Sequence, residues 1–519
     1  MVKRSPQPLL CLLVFLLPTI VLATDREQAP ASQQNGHRFI TSALSHSGSS
    51  PFDPPKATDK TVVVDSTSGL DTGCTYRSGG PLSIEVPVKR VVGDVDASGH
   101  LLNAGALTSA GLLSHTAKLT LPVYDIDQPA EVDYVYFNDH FLGQLTGADG
   151  TWSINTFTIP IEWVNFGRDA FTANLPGINT VKIAIDQASG SAENWCMSVD
   201  WVELQFDAVA PIFMVHGIAA QSDTWIGSDI TAPIPDYFQS LGIPFSYDIN
   251  LEPNGNPYVN SLLLSSRLNQ LAYRFGASQC HLIVHSKGGN DSRDYLVRYN
   301  DPSQLKVLSL NTLSTPFHGS VLADIIDSSR DVPNATSSND DIKTVIEQGS
   351  PWLTGFTYQV PCCSALTSLR SNYMAVFNAA TPFPGDVKFY NFSADADLNN
   401  DGFISASENH VYPNVLFIGG NSMAAAAYRT LNNVMSIKVV TKYITDSTGY
   451  PISSYPSLEP DATISTPLGN DLAVTFWSAQ HPAGVFVGAV KADHTTIKQQ
   501  QQAQGILSRI KADYPIVEP

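Results

Sequence analysis

A serine followed closely by two glycines stands at residues 284–289, in Val-His-Ser-Lys-Gly-Gly. A serine hydroxyl such as that of Ser286 is a poor nucleophile at neutral pH, and it attacks a carbonyl carbon only when a base takes its proton. That chemistry needs an imidazole and a carboxylate from elsewhere in the chain. His494, in Lys491-Ala-Asp-His-Thr-Thr-Ile497, is the best-placed base; His481, beside Pro482, and His318, which comes early, are the alternatives. Asp471, in Gly469-Asn-Asp-Leu-Ala-Val-Thr475, would hold the imidazole in its reactive tautomer and stabilise the cation that forms. Asp461 and Asp446 are rival carboxylates, and Asp493 reads as a solvated neighbour of the histidine.

The elements that must position these groups are legible in the apolar pattern. The run His281 to Val284 turns at His285-Ser286-Lys287 into a helical pattern, Arg293 to Tyr299, which is the strand, sharp turn and helix order that exposes a hydroxyl beyond a sheet edge. Such a turn needs small residues on either side of the serine; Gly288 supplies one, and Val284 stands where the other would be. Pro211 to Val215 reads as a buried strand ending in His216-Gly217, where glycine lets the chain turn and aim a backbone N–H inward. Tyr258 to Tyr273 has helical spacing, and Leu305 to Leu310 is another buried run ahead of Ser314-Thr-Pro-Phe-His-Gly-Ser320. Buried strands alternating with helices imply a mostly parallel sheet covered on both faces.

Taken together, His216-Gly217, the turn at 284–289, the segment Ser314 to Ser320, Asn470-Asp471-Leu-Ala-Val and Asp493-His494 resemble the secreted bacterial lipases of the α/β-hydrolase superfamily, over about residues 208–497. The order Ser, Asp, His is also that of the superfamily. The chain departs from the resemblance at Val284, where that family has Gly or Ala. The resemblance implies ester hydrolysis with triacylglycerols as the leading substrate class, and short esters or a polyester such as polyhydroxyalkanoate as alternatives. It also implies that the amides of Ile218 and Lys287 face the developing oxyanion. A reading of another class is a non-catalytic glycan-binding protein that retains the hydrolase fold.

A second set of residues speaks to a metal. Asp397-Leu-Asn-Asn-Asp-Gly-Phe-Ile-Ser-Ala-Ser-Glu408 matches the twelve-residue calcium loop of EF-hands. Asp397, Asn399 and Asp401 would supply oxygens, Phe403 its carbonyl, Ser405 a direct or water-mediated contact, and Glu408 both carboxylate oxygens. Flanking helices are not evident, so the expectation is a structural calcium ion. No organic cofactor is implied.

The remaining organisation follows from composition. At 519 residues the chain has room for two or more domains, and its formal charge of −19 speaks against nucleic acid, which demands a basic face. Lys3 and Arg4, an apolar run from Leu9 to Leu22 and Ala23 read as a signal peptide over 1–23, so the protein is expected to be secreted. The run is short for a membrane span and is broken by Pro18, and no other stretch is long enough to be one. Residues 24–60, rich in Ser, Pro, Gln and Ala, read as a flexible linker.

Short strand-like runs without helices over 61–207 predict an all-β sandwich accessory domain, and 208–519 the α/β-hydrolase domain, with a cap or lid insertion at 320–387. The segment Asp133 to Leu145 is similar to a hairpin of galactose-binding-like and carbohydrate-binding-module sandwiches. A glycan or polymer surface built from Tyr134, Tyr136, Phe141, Trp152 and Trp163 is therefore a second expectation, against the commoner one that such rings are core. Cys74 and Cys196 bracket this region and are the expected disulfide pair in an oxidising compartment.

Overall fold

The computed structural model describes residues 52–65, 75–76, 80–127, 131–187, 196–228, 230–320, 323–324, 364–400, 437–445, 447–460 and 469–519, which fall in one compact unit. The expected signal peptide, most of the insertion at 320–387, Cys74 and the calcium-loop residues Asp401, Phe403, Ser405 and Glu408 lie outside the described residues.

The first half is antiparallel. Thr61–Val64, Val202–Gln205, Thr116–Tyr124, Cys196–Val199 and Thr75–Tyr76 lie side by side, and Trp152–Pro160 pairs with Thr116–Tyr124 to complete six strands. Leu82–Val88, Gly177–Ala184, Tyr134–Phe137 and His140–Gln144 form a second sheet of four. The strands form because alternate residues are apolar: Val135 and Phe137, Val181 and Ile183, and Leu119, Leu121 and Val123 all enter one buried cluster. The alternate residues Tyr134 and Tyr136 face outward, not into the core. Phe141 meets both of them edge-on, with ring centroids 5.5 Å away, and Trp163 stacks on His140 at 4.1 Å. The rings are engaged with one another rather than laid out flat, and nothing in that arrangement supports a glycan platform. Cys196 lies across from Tyr76 and is disulfide-bonded.

The second half holds a six-stranded parallel sheet in the order Phe245–Ser246, Ile212–Val215, Gln279–His285, Lys306–Leu313, Lys388–Asp395 and Val485–Lys491. Ile212–Val215 is buried throughout, and Gln279–His285 and Lys306–Leu313 are buried at every residue but the first, as a sheet covered on both faces requires. Asn256 caps the helix Pro257–Phe275 by accepting the Val259 N–H at 3.0 Å, and Gly276, with φ +55°, ends it in the left-handed region. In chain order the connections run one way from Ile212–Val215 and the other way from Gln279–His285. These two neighbours flank the crevice at the carboxyl ends of the strands, where open parallel sheets bind ligands.

The two halves share a core. Ile212, Met214, Ile283 and Leu313 belong to the same buried cluster as Leu119, Leu204 and Phe206. Arg274 clamps Asp169 through two nitrogens at 2.8 and 3.0 Å, and buried Arg90 donates to the Val209 carbonyl at 3.0 Å. The described end of the expected linker is docked as well. Asp59 accepts from the N–H and hydroxyl of Ser278, each at 2.6 Å, and from Arg90 at 3.1 Å, so this end of the segment is anchored to the rest of the structure. An Asp in a Pro- and Ser-rich stretch gives no local sign of so distant a partner.

Candidate active site

Ser286 sits at the turn between Gln279–His285 and the helix Gly288–Arg298, with φ +54°, a strained value for a side chain-bearing residue. Its N–H donates to the Leu313 carbonyl at 3.0 Å, which pins the turn to the next strand. Two glycines permit it. A Cβ on Gly217 would lie 2.7 Å from the Ser286 Cβ, and one on Gly288 would lie 2.4 Å from the His216 carbonyl. The turn closes with Val284 in place, because that side chain is fully buried in the core with Phe213, Val215 and Leu282.

The Ser286 hydroxyl lies 2.8 Å from Nε2 of His494, whose Nδ1 lies 2.7 Å from Oδ2 of Asp471. A carboxylate only accepts, so Nδ1 carries the imidazole proton and Nε2 is bare toward the serine. Asp471 is fully buried, and its Oδ1 accepts the N–H groups of Ala473 at 3.0 Å and Val474 at 2.7 Å. The His494 N–H donates to the Asp471 carbonyl at 2.8 Å, so the two loops are tied by backbone as well as by side chain. The apolar run Leu472 to Phe476 is not a strand. It is a tight loop closed by a bridge between Asn470 and Thr475, with Leu472 at φ +75°.

Asp493 is buried rather than solvated. Its Oδ1 takes the N–H groups of Thr495 at 2.8 Å and Thr496 at 2.6 Å and the Thr496 hydroxyl at 2.8 Å, shaping the turn that carries His494; burial pushes its carboxyl above the ordinary range. His285 was a silent neighbour in the sequence. In the structure its Nε2–H donates to the His494 carbonyl at 2.6 Å, and its ring packs 4.8 Å from the His494 ring. Burial, then the positive charge of Lys498, holds His285 far below the usual imidazole range, and therefore neutral.

The rival histidines are engaged elsewhere. His318 stacks on Trp477 at 4.1 Å, and His481, half-buried, is lowered to about 4 by burial and by Arg293. Asp446 and Asp461 lie outside the described residues.

The amides of Ile218 and Lys287 donate to no protein acceptor among the described residues. Ile218, Ser286 and His494 line one pocket together with Ala220, Leu472 and Lys498. Lys498 itself was missed in the sequence. It is buried, donates to the Thr224 hydroxyl at 2.6 Å and contributes a cation to the pocket wall.

Of the calcium-loop residues, Asp397 and Asn399 are described. Asp397 is buried just past the Lys388–Asp395 strand, and its Oδ1 accepts the Asn400 N–H at 2.8 Å. Its carbonyl also meets the Lys491 ammonium, which lies 2.7 Å from Asp395. The oxygen-only donor set of the loop fits a hard cation. Among the described residues no helix is long and apolar enough to cross a membrane.

No protein-family model matches the chain, and no curated protein matches it. Among solved structures it is similar to the mature form of a Bacillus licheniformis lipase, with 20% identity and a TM-score of 0.37 over 58% of this chain and 91% of that one. It is similar too to a Staphylococcus hyicus lipase, with 12% identity and a TM-score of 0.33 over 59% of this chain and 97% of that one. A third likeness is to lipase 1 from Pelosinus fermentans, with 15% identity and a TM-score of 0.33 over 58% and 98%.

Proposed function

We propose that the chain is a secreted serine ester hydrolase of the α/β-hydrolase kind, with Ser286 as nucleophile, His494 as base and Asp471 as its orienting carboxylate. The observation that supports this most is the hydrogen-bonded row from the Ser286 hydroxyl through His494 to Asp471, at 2.8 and 2.7 Å. In this reading Ser286 Oγ bonds to the ester carbonyl carbon while its proton passes to His494 Nε2. The charge on the carbonyl oxygen is met by the amides of Ile218 and Lys287, each worth about a hundredfold to a thousandfold in rate. Collapse of the tetrahedral adduct breaks the bond to the alcohol, which leaves with the proton from His494. Water, deprotonated by the same imidazole, then releases the acid and restores the serine.

The pocket wall formed by Ile218, Ala220 and Leu472 favours an apolar acyl or alcohol group, and triacylglycerols are the proposed substrate class. Rates on emulsified long-chain glycerides, dissolved p-nitrophenyl esters and polyester film would rank the substrates. Ser286→Ala should abolish all three, and unchanged turnover would refute the assignment.

The accessory half is proposed to be a sandwich of its two antiparallel sheets, tied by Cys74 to Cys196. Calcium is proposed to sit on Asp397, Asn399, Asp401, Phe403, Ser405 and Glu408 as a structural ion. A chelator should lower the melting temperature and added calcium should restore it; an unaltered melting curve with no bound calcium would remove the site.

A further inference from the structure

The two amides assigned to the oxyanion come from chain segments far apart in sequence, and a rigid oxyanion site requires that they keep a fixed separation. A continuous polar circuit runs between them. Lys287, completely buried, reaches forward along the helix it precedes and donates to both oxygens of Asp291, at 2.9 and 2.6 Å; Asp291 is 1% exposed. Asp291 Oδ2 also accepts from Asn260 Nδ2 at 2.9 Å. Asn260 clamps the backbone of Glu252, donating to its carbonyl and accepting its N–H, both at 3.1 Å.

From that clamped segment the circuit reaches Ile218 on both sides. The Ala219 N–H donates to the Pro253 carbonyl at 2.9 Å. The Leu251 N–H donates to Nε2 of His216 at 3.0 Å, so that ring carries its proton on Nδ1 and donates it to the Gly217 carbonyl at 2.9 Å. Burial keeps His216 below the ordinary imidazole range, which preserves this tautomer. The peptide groups before and after Ile218 are thus both anchored to residues 251–253, and those residues are anchored through Asn260 and Asp291 to Lys287.

We infer that Lys287, Asp291 and Asn260 are positioning residues that hold the Ile218 and Lys287 amides at a fixed separation, so that both meet the oxyanion at once. This rests on the ester-hydrolase reading. An ion pair with no access to solvent is an expensive way merely to fill a core, because apolar side chains of similar volume do that as well or better. The geometry gives this pair a second task, since its carboxylate joins the helix Gly288–Arg298 to the Asn260 clamp.

Two variants separate positioning from packing. Lys287→Met with Asp291→Leu replaces the pair by apolar groups and should leave the melting temperature at or above that of the native protein, while severing the circuit. Asn260→Ala severs it one bond further on and leaves the ion pair whole. In each, kcat on p-nitrophenyl esters should fall about tenfold to a hundredfold, the scale of small misplacements of catalytic groups, with KM within about twofold of native. Inhibition by a trifluoromethyl ketone, whose adduct oxygen occupies the oxyanion position, should weaken by the same factor as kcat. The pH profile of kcat/KM should keep its shape, because His494 and Asp471 are untouched.

Native kcat in either folded variant would overturn the inference, and Asn260→Ala alone decides it if the double variant does not fold. Absence of turnover in the native protein would instead remove the underlying reading.

Discussion

The elbow and the β-sheet half both bury ionisable side chains, but they neutralise them in opposite ways. Beside Ser286 two buried charges face their complements, Lys287 against Asp291 and Asp471 against two amides and an imidazole. In the β-sheet half two acids are buried beside each other. Glu131 and Asp133 are both without exposed surface, and neither Glu131 Oε1 nor Asp133 Oδ2 has a hydrogen-bond donor among the described residues. Burial first, then Asp133, pushes the Glu131 carboxyl up to about 8, and burial pushes Asp133 up to about 6. Opposite charges hold their geometry across a wide pH range, whereas paired acids hold together only while a proton lies between them. The proposed active site is built the first way.

The contrast can be broken at either end. The largest effect belongs to the proposed catalytic row: His494→Ala should lower kcat about a millionfold and Asp471→Asn about ten-thousandfold, measured on p-nitrophenyl esters. A loss of less than tenfold in either would dissolve the row. Next, Lys287→Ala leaves the Asp291 carboxylate buried without its cation and should cost about 3–5 kcal/mol by denaturant titration. A change under about 1 kcal/mol would mean that the pair carries little of the elbow's stability.

The smallest effect lies in the β-sheet half, and its sign is opposite. Both acids are raised above their unfolded values, so their contribution is fully present below about pH 4 and is lost as pH rises through about 6 and about 8. Glu131→Gln supplies a donor to Asp133 at every pH. It should raise the melting temperature above pH 8 by a few degrees, as expected for about 1 kcal/mol, and not below pH 4. A variant less stable than native at pH 9 would contradict the shared-proton picture.

How much was legible depended on whether a residue's partner lay nearby in sequence or could be recognised by type. Ser286 was legible because a strand, a turn and glycines announce the elbow locally, and His494 and Asp471 because that chemistry demands one base and one carboxylate. The spacing of Lys287 and Asp291, one helical turn apart, was also visible, but spacing does not show burial, and exposed pairs of this kind are common. Asn260 on its helix gave no sign that it clamps Glu252. Asp493 looked solvated because a polar loop was read by composition, whereas its three donors make it the centre of the turn. The strand Val485–Lys491 and the helix Gln500–Asp513, which complete the parallel sheet and its cover, passed unread, although Ala503, Ile506, Leu507 and Ile510 stand at helical spacing. Likewise the boundary expected at residue 207 is no break in the core, since Leu204 and Phe206 pack in one cluster with Ile212 and Met214.

The row itself is tested most directly by labelling the protein with a fluorophosphonate and mapping the adduct by mass spectrometry, in parallel with His494→Ala. The account predicts one adduct, on Ser286, forming rapidly in the native chain and slowed by orders of magnitude in the variant. An adduct on another residue, or equal labelling of Ser286 in both proteins, would contradict it.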